Sequence, residues 1–179
     1  MRRFLATVTM VALTTTPTLA ANPDVGGAPM FETKNIVENA VNSADHTTLV
    51  AAVKAAGLVD ALMGPGPFTV FAPVNEAFAA LPAGTVETLL KPENRAMLTK
   101  VLTAHVVAGD LKLADLQAKV GTDGYANLRT LSGDALSVKF KGNTAMVYSE
   151  SRNIGTITIA DVDQANGVIH VVNTVLVPK

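Results

Sequence analysis

Apolar positions along the chain follow a helical repeat first and a strict alternation later. Between Asn35 and Leu62, Ile36, Val37, Ala40 and Val41 form one stripe at helical spacing, and Leu49, Val50 and Val53 form a second. The polar stretch Asp45-His46-Thr47 between them predicts a helix start, and Gly57 predicts an end or bend. Gly64-Pro65-Gly66-Pro67 is a break. Phe68 to Ala72, rich in β-forming residues and closed by Pro73, predicts a short strand. Asn75 is placed to cap a short helix from Glu76 to Leu81, which Pro82 and Gly84 end. Pro92 opens a longer helix at a position where its missing N–H costs nothing; its stripe is Met97, Leu98, Val101, Leu102 and His105. Leu113 to Val120 predicts a further short helix ending at Gly121.

From Leu128 the period becomes two. Leu136, Val138 and Phe140 alternate with Ser137, Lys139 and Lys141, the pattern of a half-buried strand. Turn signals fall at Ser132-Gly133-Asp134, Lys141-Gly142-Asn143 and Asn166-Gly167. The last predicts a tight hairpin with both central residues at positive φ. The run from Val168 to Val177 is apolar on both faces and predicts a central strand covered on both sides. Residues 22–32 carry Pro23, Gly26, Gly27 and Pro29 without a period and read as an extended lead-in. Helices first and an antiparallel sheet second make the class α+β.

The N-terminus adds an address. Met1-Arg2-Arg3 precedes an apolar stretch from Phe4 to Leu13, and Thr18 and Ala20 are the small residues of a cleavage site. The stretch is too short and threonine-rich to span about 30 Å of hydrocarbon, so it predicts a leader cleaved after Ala20. The organisation is then a signal peptide over residues 1–20, a lead-in over 21–32 and one domain over 33–179. The protein is expected to be secreted or periplasmic and not membrane-spanning after cleavage. The full chain has 14 basic and 15 acidic residues; without Arg2 and Arg3 the net charge is −3. That leaves no basic excess to neutralise nucleic-acid phosphates. Cysteine is absent, so disulfides, zinc ribbons and thiol catalysis are excluded. Aromatics are scarce, with six Phe, two Tyr and no Trp.

No nucleophile elbow, phosphate-binding loop, zinc-protease helix or EF-hand spacing occurs. Asp161 and Asp163 stand at i, i+2 on one strand face, but no further ligand is near in sequence, so no metal and no cofactor is expected. Three histidines are the neutral-pH acid–base candidates. His46 lies in a polar segment and reads as solvated. His105 and His170 lie on apolar stripes and read as buried rings whose nitrogens bond backbone groups and pin elements together. No catalytic residue is expected.

These residues converge on a known pattern. Gly66-Pro67-Phe68-Thr69-Val70-Phe71-Ala72-Pro73-Val74-Asn75-Glu76-Ala77-Phe78 resembles the first signature of fasciclin domains. Asn166-Gly167-Val168-Ile169-His170-Val171-Val172-Asn173-Thr174-Val175-Leu176 resembles the second, and His105-Val106-Val107 resembles the family's central histidine segment. The motif residues are Phe71, Pro73, Asn75, Phe78, His105, Gly167 and His170. The resemblance covers roughly residues 33 to 178. It implies a wedge in which a β-sandwich of about seven strands carries a helical layer, with the two signature strands side by side in the core.

It also implies an extracellular, non-catalytic module for cell adhesion. Val74 stands where the family often has Thr, Asn173 where it often has Asp, and Ala104 where many members have Tyr before the histidine. The Tyr-His segment is linked to integrin binding in animal members, so that role is not carried over. A second integrin-linked Asp-Ile pair is matched by Asp161-Val162, the candidate partner contact. The expected partner is a cell-surface protein or polysaccharide, and the expected state is a monomer. The competing reading is a periplasmic protein that holds a lipid or oligosaccharide between helices and sheet.

Overall fold

A computed structural model describes residues 22–179; the expected leader, residues 1–20, lies outside them. The chain opens with a small hairpin of β1 (Asp24–Val25) and β2 (Ala28–Pro29). The lead-in is therefore folded back instead of extended, because Val25 and Met30 bury against the helices. Helices α1 (Ile36–Ala40), α2 (Thr47–Ala56) and α3 (Val59–Leu62) follow, with a 3-10 turn at Ala44–His46 between the first two. Asn35 and Glu38 form a reciprocal capping box on α1, and Gly57 ends α2 in the left-handed conformation. Of the two stripes between Asn35 and Leu62, Val41 alone faces water, at 48% exposure.

Next come β3 (Phe68–Pro73), α4 (Asn75–Ala79), α5 (Thr85–Leu89), α6 (Arg95–Thr103), β4 (Val106–Ala108) and α7 (Leu113–Ala118). The sheet is completed by β5 (Ala126–Arg129), β6 (Ala135–Lys141), β7 (Thr144–Ser149), β8 (Ile154–Gln164) and β9 (Gly167–Val172). Helix α5 and strand β4 escaped the pattern reading because each is too short to show a period. Met97, assigned to the buried stripe of α6, is 61% exposed at the helix edge.

Seven strands form one curled sheet in the order β4-β3-β9-β8-β7-β6-β5. The expected antiparallel sheet is in fact mixed, because β3 and β9 run parallel in register, Phe71 opposite His170. Strand β8 is the corner. Its first residues, to Thr156, pair with β7, and from Ile157 it pairs with β9 through two register shifts. The edges then meet: Leu131 donates to the Val106 carbonyl at 2.8 Å and Val107 bridges Thr130. The result is a near-barrel with α1–α6 packed on one wall and Leu116 of α7 buried in its interior.

Two cores follow from strand alternation. Val70, Ala72, Ile169 and Val171 face the helices, where they meet Leu49, Val53, Leu98 and Val101. Phe71 and Val172 face the barrel interior with Leu128, Leu136, Val138 and Val147. This is why β3 and β9 are apolar on both faces. Strand β9 ends at Val172, short of the expected Val177, because Asn173-Thr174 bends the chain; Asn173 Oδ1 accepts from Thr156 N–H at 2.8 Å.

Two motif asparagines act differently from their sequence reading. Asn75 does not cap its own helix. Its Oδ1 accepts from Thr48 N–H at 3.0 Å, capping α2, and its Nδ2 donates to the Ala44 carbonyl at 2.8 Å. Asn166 is not at positive φ; only Gly167 is, at +149°. The Asn166 side chain is buried and accepts from Ile36 N–H at 3.0 Å while donating to the Leu62 and Gly64 carbonyls at 2.8 and 2.9 Å. Gly167 is required by proximity as well as φ, since a Cβ there would run into the Phe68 carbonyl. Gly167→Ala should therefore cost about 3 kcal/mol or more of unfolding free energy. Gly133→Ala, also at positive φ but in open space, should cost about 1 kcal/mol. Urea midpoints check this; equal losses would show that backbone approach is not the constraint.

Candidate functional site

The sequence-level contact pair sits at the β8 corner. Asp161 lies within the register shift of β8 at φ +55°, a left-handed conformation uncommon outside glycine and asparagine or aspartate. Its side chain is 40% exposed, and Oδ1 accepts from Leu113 N–H at 2.7 Å at the start of α7. Val162, by contrast, is fully buried among the helix-facing residues. Of the Asp161-Val162 pair, only Asp161 can touch a partner, because alternation resumes after the bulge and turns Val162 inward. The signal missed in the sequence is Lys112, whose ammonium lies 2.9 Å from the Asp163 carboxylate. That contact, with Asp110 and Asp161 nearby, raises the lysine's pKa. Among the described residues no group of three or more His, Asp or Glu is arranged to hold a metal ion.

Beneath this corner lies His170, buried and stacked on Phe71 with ring centroids 5.6 Å apart. Nε2 donates to the Leu111 carbonyl at 2.7 Å, which leaves Nδ1 as the acceptor for Asp161 N–H at 3.3 Å. The ring thus ties β9 to the chain entering α7 and to the bulge. Burial lowers its pKa, opposed by the Leu111 carbonyl and by the Asp161 and Asp110 carboxylates.

His105 is held the same way. Nδ1 donates to the Val101 carbonyl at 2.8 Å and Nε2 accepts from Leu176 N–H at 2.8 Å, so the neutral ring joins α6 to the C-terminal segment. Its own carbonyl accepts from Phe71 N–H at 2.8 Å, extending the tie to β3. Full burial pushes its pKa down to about 4. His46, read as solvated, is buried instead, because the folded-back lead-in covers it. Its Nδ1 meets Ser43 Oγ at 2.9 Å, its Nε2 makes no hydrogen bond, and burial lowers its pKa.

The remaining motif residues are structural in placement. Phe78 packs into the helix-side core and Pro73 closes β3 against Val172. A mainly apolar cleft of about 390 Å³ opens between α5, α6 and the C-terminal segment, and between helices and sheet two apolar voids measure about 40 and about 30 Å³. Each void has room for about one water, whereas an engineered cavity of roughly 150 Å³ is what admits a benzene. A lipid does not fit either of these two voids without the layers parting.

Because folded His105 binds its proton more weakly than an unfolded histidine, the unfolded state holds more protons below about pH 6.5. Stability should be full above that pH and fall as pH drops to about 4, by about 3 kcal/mol for this residue alone. His105→Gln should flatten the slope of urea midpoints between pH 7 and pH 4; an unchanged slope would mean that His105 is not the titrating group.

Comparison with known proteins agrees with this geometry. A family model described as "Fasciclin domain" matches residues 44–178. The chain is 47% identical over 174 residues to Protein sll1483 of Synechocystis sp., covering 97% of this chain and 88% of that protein. It is 36% identical over 144 residues to Immunogenic protein MPB70 of Mycobacterium bovis, covering 78% and 66%. Against Transforming growth factor-beta-induced protein ig-h3 of Sus scrofa it is 40% identical over 130 residues, 73% of this chain but only 17% of that protein. A solved domain pair from the insect cell adhesion molecule fasciclin I superposes with a TM-score of 0.58 at 21% identity, covering 72% of this chain and 43% of that chain; this likeness concerns the fold.

Proposed function

The chain belongs to the fasciclin domain family, and on that premise we propose that it is an exported, non-catalytic module attaching a cell to a surface or to another cell. The state of the histidines carries the reading. His105 and His170 have both ring nitrogens engaged by backbone groups inside the core. Groups that could move a proton near neutral pH are thereby used to hold the fold, and the domain offers its surface. The relation to the insect cell adhesion molecule fasciclin I supports the same direction. The leader sequence directs the protein to the periplasm or beyond, where its partner is a cell-surface protein or polysaccharide.

The Asp161 corner is one contact face in this reading. Its carboxylate is exposed, held by Leu113 N–H, and set on a rigid bulge. A hard cation carried by a partner would favour that oxygen. One such domain binds weakly by itself, so attachment depends on many copies displayed together.

Surface attachment of the source cells should fall on deletion and return when purified protein is added back; unchanged attachment would remove the proposal. Asp161→Asn keeps the hydrogen bond and the left-handed backbone while removing the charge. It should reduce restored attachment several-fold with the melting temperature unchanged. Full restoration by this variant would assign attachment to another face.

A further inference from the structure

The chain's two tyrosines, 23 positions apart, meet on the outer face of β5–β7. Tyr125 and Tyr148 stand edge to face, with centroids 5.6 Å apart and planes at 84°. They line an open groove of about 490 Å³ on the solvent side of the barrel. The groove is already rigid. Ser137 Oγ donates to Asn127 Oδ1 at 2.7 Å, and Asn127 Nδ2 donates to Asp123 Oδ2 at 3.0 Å. Asp123 also accepts from Tyr125 N–H at 3.1 Å, so its exposed carboxylate is fixed at one end of the groove, with the Asn127 and Tyr125 hydrogen bonds lowering its pKa. Lys139 Nζ lies over the Tyr125 ring, 4.9 Å from its centroid, and covers that face.

Arg152 supplies the second, independent observation. It sits in the turn between β7 and β8 at φ +65°, where glycine or asparagine would be unstrained. Its exposed guanidinium borders the groove and has no carboxylate partner among the described residues. A strained backbone that presents an unpaired, planar cation beside two aromatic rings is suited to a planar anion on an apolar-faced ring. Tyrosine π-faces attract the weakly positive C–H face of a pyranose, and a guanidinium pairs two-pronged with a carboxylate.

We propose that this groove binds a uronate-bearing polysaccharide, with a sugar face on Tyr148 and a carboxylate on Arg152. The inference rests on the attachment reading and names the partner chemistry of a face separate from Asp161. Right-angled ring walls fit a puckered sugar better than an extended acidic peptide, which would need a free strand edge or a narrow cleft.

Affinity electrophoresis of the purified protein at physiological ionic strength tests it, with polygalacturonate, neutral dextran or polyglutamate cast in the gel. Polygalacturonate alone should retard the protein. Arg152→Asn should weaken that retardation about tenfold, the loss of one charged hydrogen-bond pair, with a melting temperature equal to or above wild type. Tyr148→Ala should weaken it as well. No retardation, equal retardation by polyglutamate or dextran, or unchanged retardation in both variants would overturn the proposal. None of those outcomes alters the result of the deletion and add-back assay, which tests attachment itself.

Discussion

Everything in this fold depends on the parallel pairing of β3 with β9. Two segments almost a hundred residues apart lie in register, Phe68 opposite Gly167 through Pro73 opposite Val172. Parallel pairs are slightly weaker per residue than antiparallel ones and are covered on both faces. Coverage is what makes this one durable: the helices bury one face, and the curled sheet buries the other. Gly167 lets the backbones approach, while the Asn166 side chain fastens the same corner to α1 and α3.

Histidine serves as a fastener because a neutral imidazole offers one donor and one acceptor at fixed separation. In His105 and His170 each ring satisfies a carbonyl and an N–H that no regular element would satisfy. An unmet buried backbone group costs about 1–3 kcal/mol, so a ring that meets two replaces a stretch of secondary structure. The same burial that makes them good fasteners lowers their pKa values and ties the fold to neutral pH. The two contact faces proposed above, the β8 corner and the tyrosine groove, lie on distinct parts of the sheet.

Much of this was legible from spacing alone. The helical stripes, the short strand β3, the alternation in β6, the doubly apolar β9, and the α+β class follow from local pattern, because a buried face imposes its repeat on the sequence. The resemblance extended this to seven strands and a helical layer. Polar residues were harder to read. Asn75 looked like the cap of its own helix and caps α2 instead, and His46 looked solvated and lies under the lead-in. Val162 looked paired with Asp161 on the surface, but the register shifts of β8 turn it inward.

What the sequence determined by itself was therefore which segments bury which faces, since hydrophobic burial acts residue by residue and leaves a periodic trace. Only the tertiary structure decided the partners of polar groups: which carbonyl His105 meets, which helix Asn75 caps, which ring Tyr125 finds. Hydrogen bonds and aromatic pairs are directional contacts between residues distant in the chain, and their geometry exists only once the sheet has curled and closed.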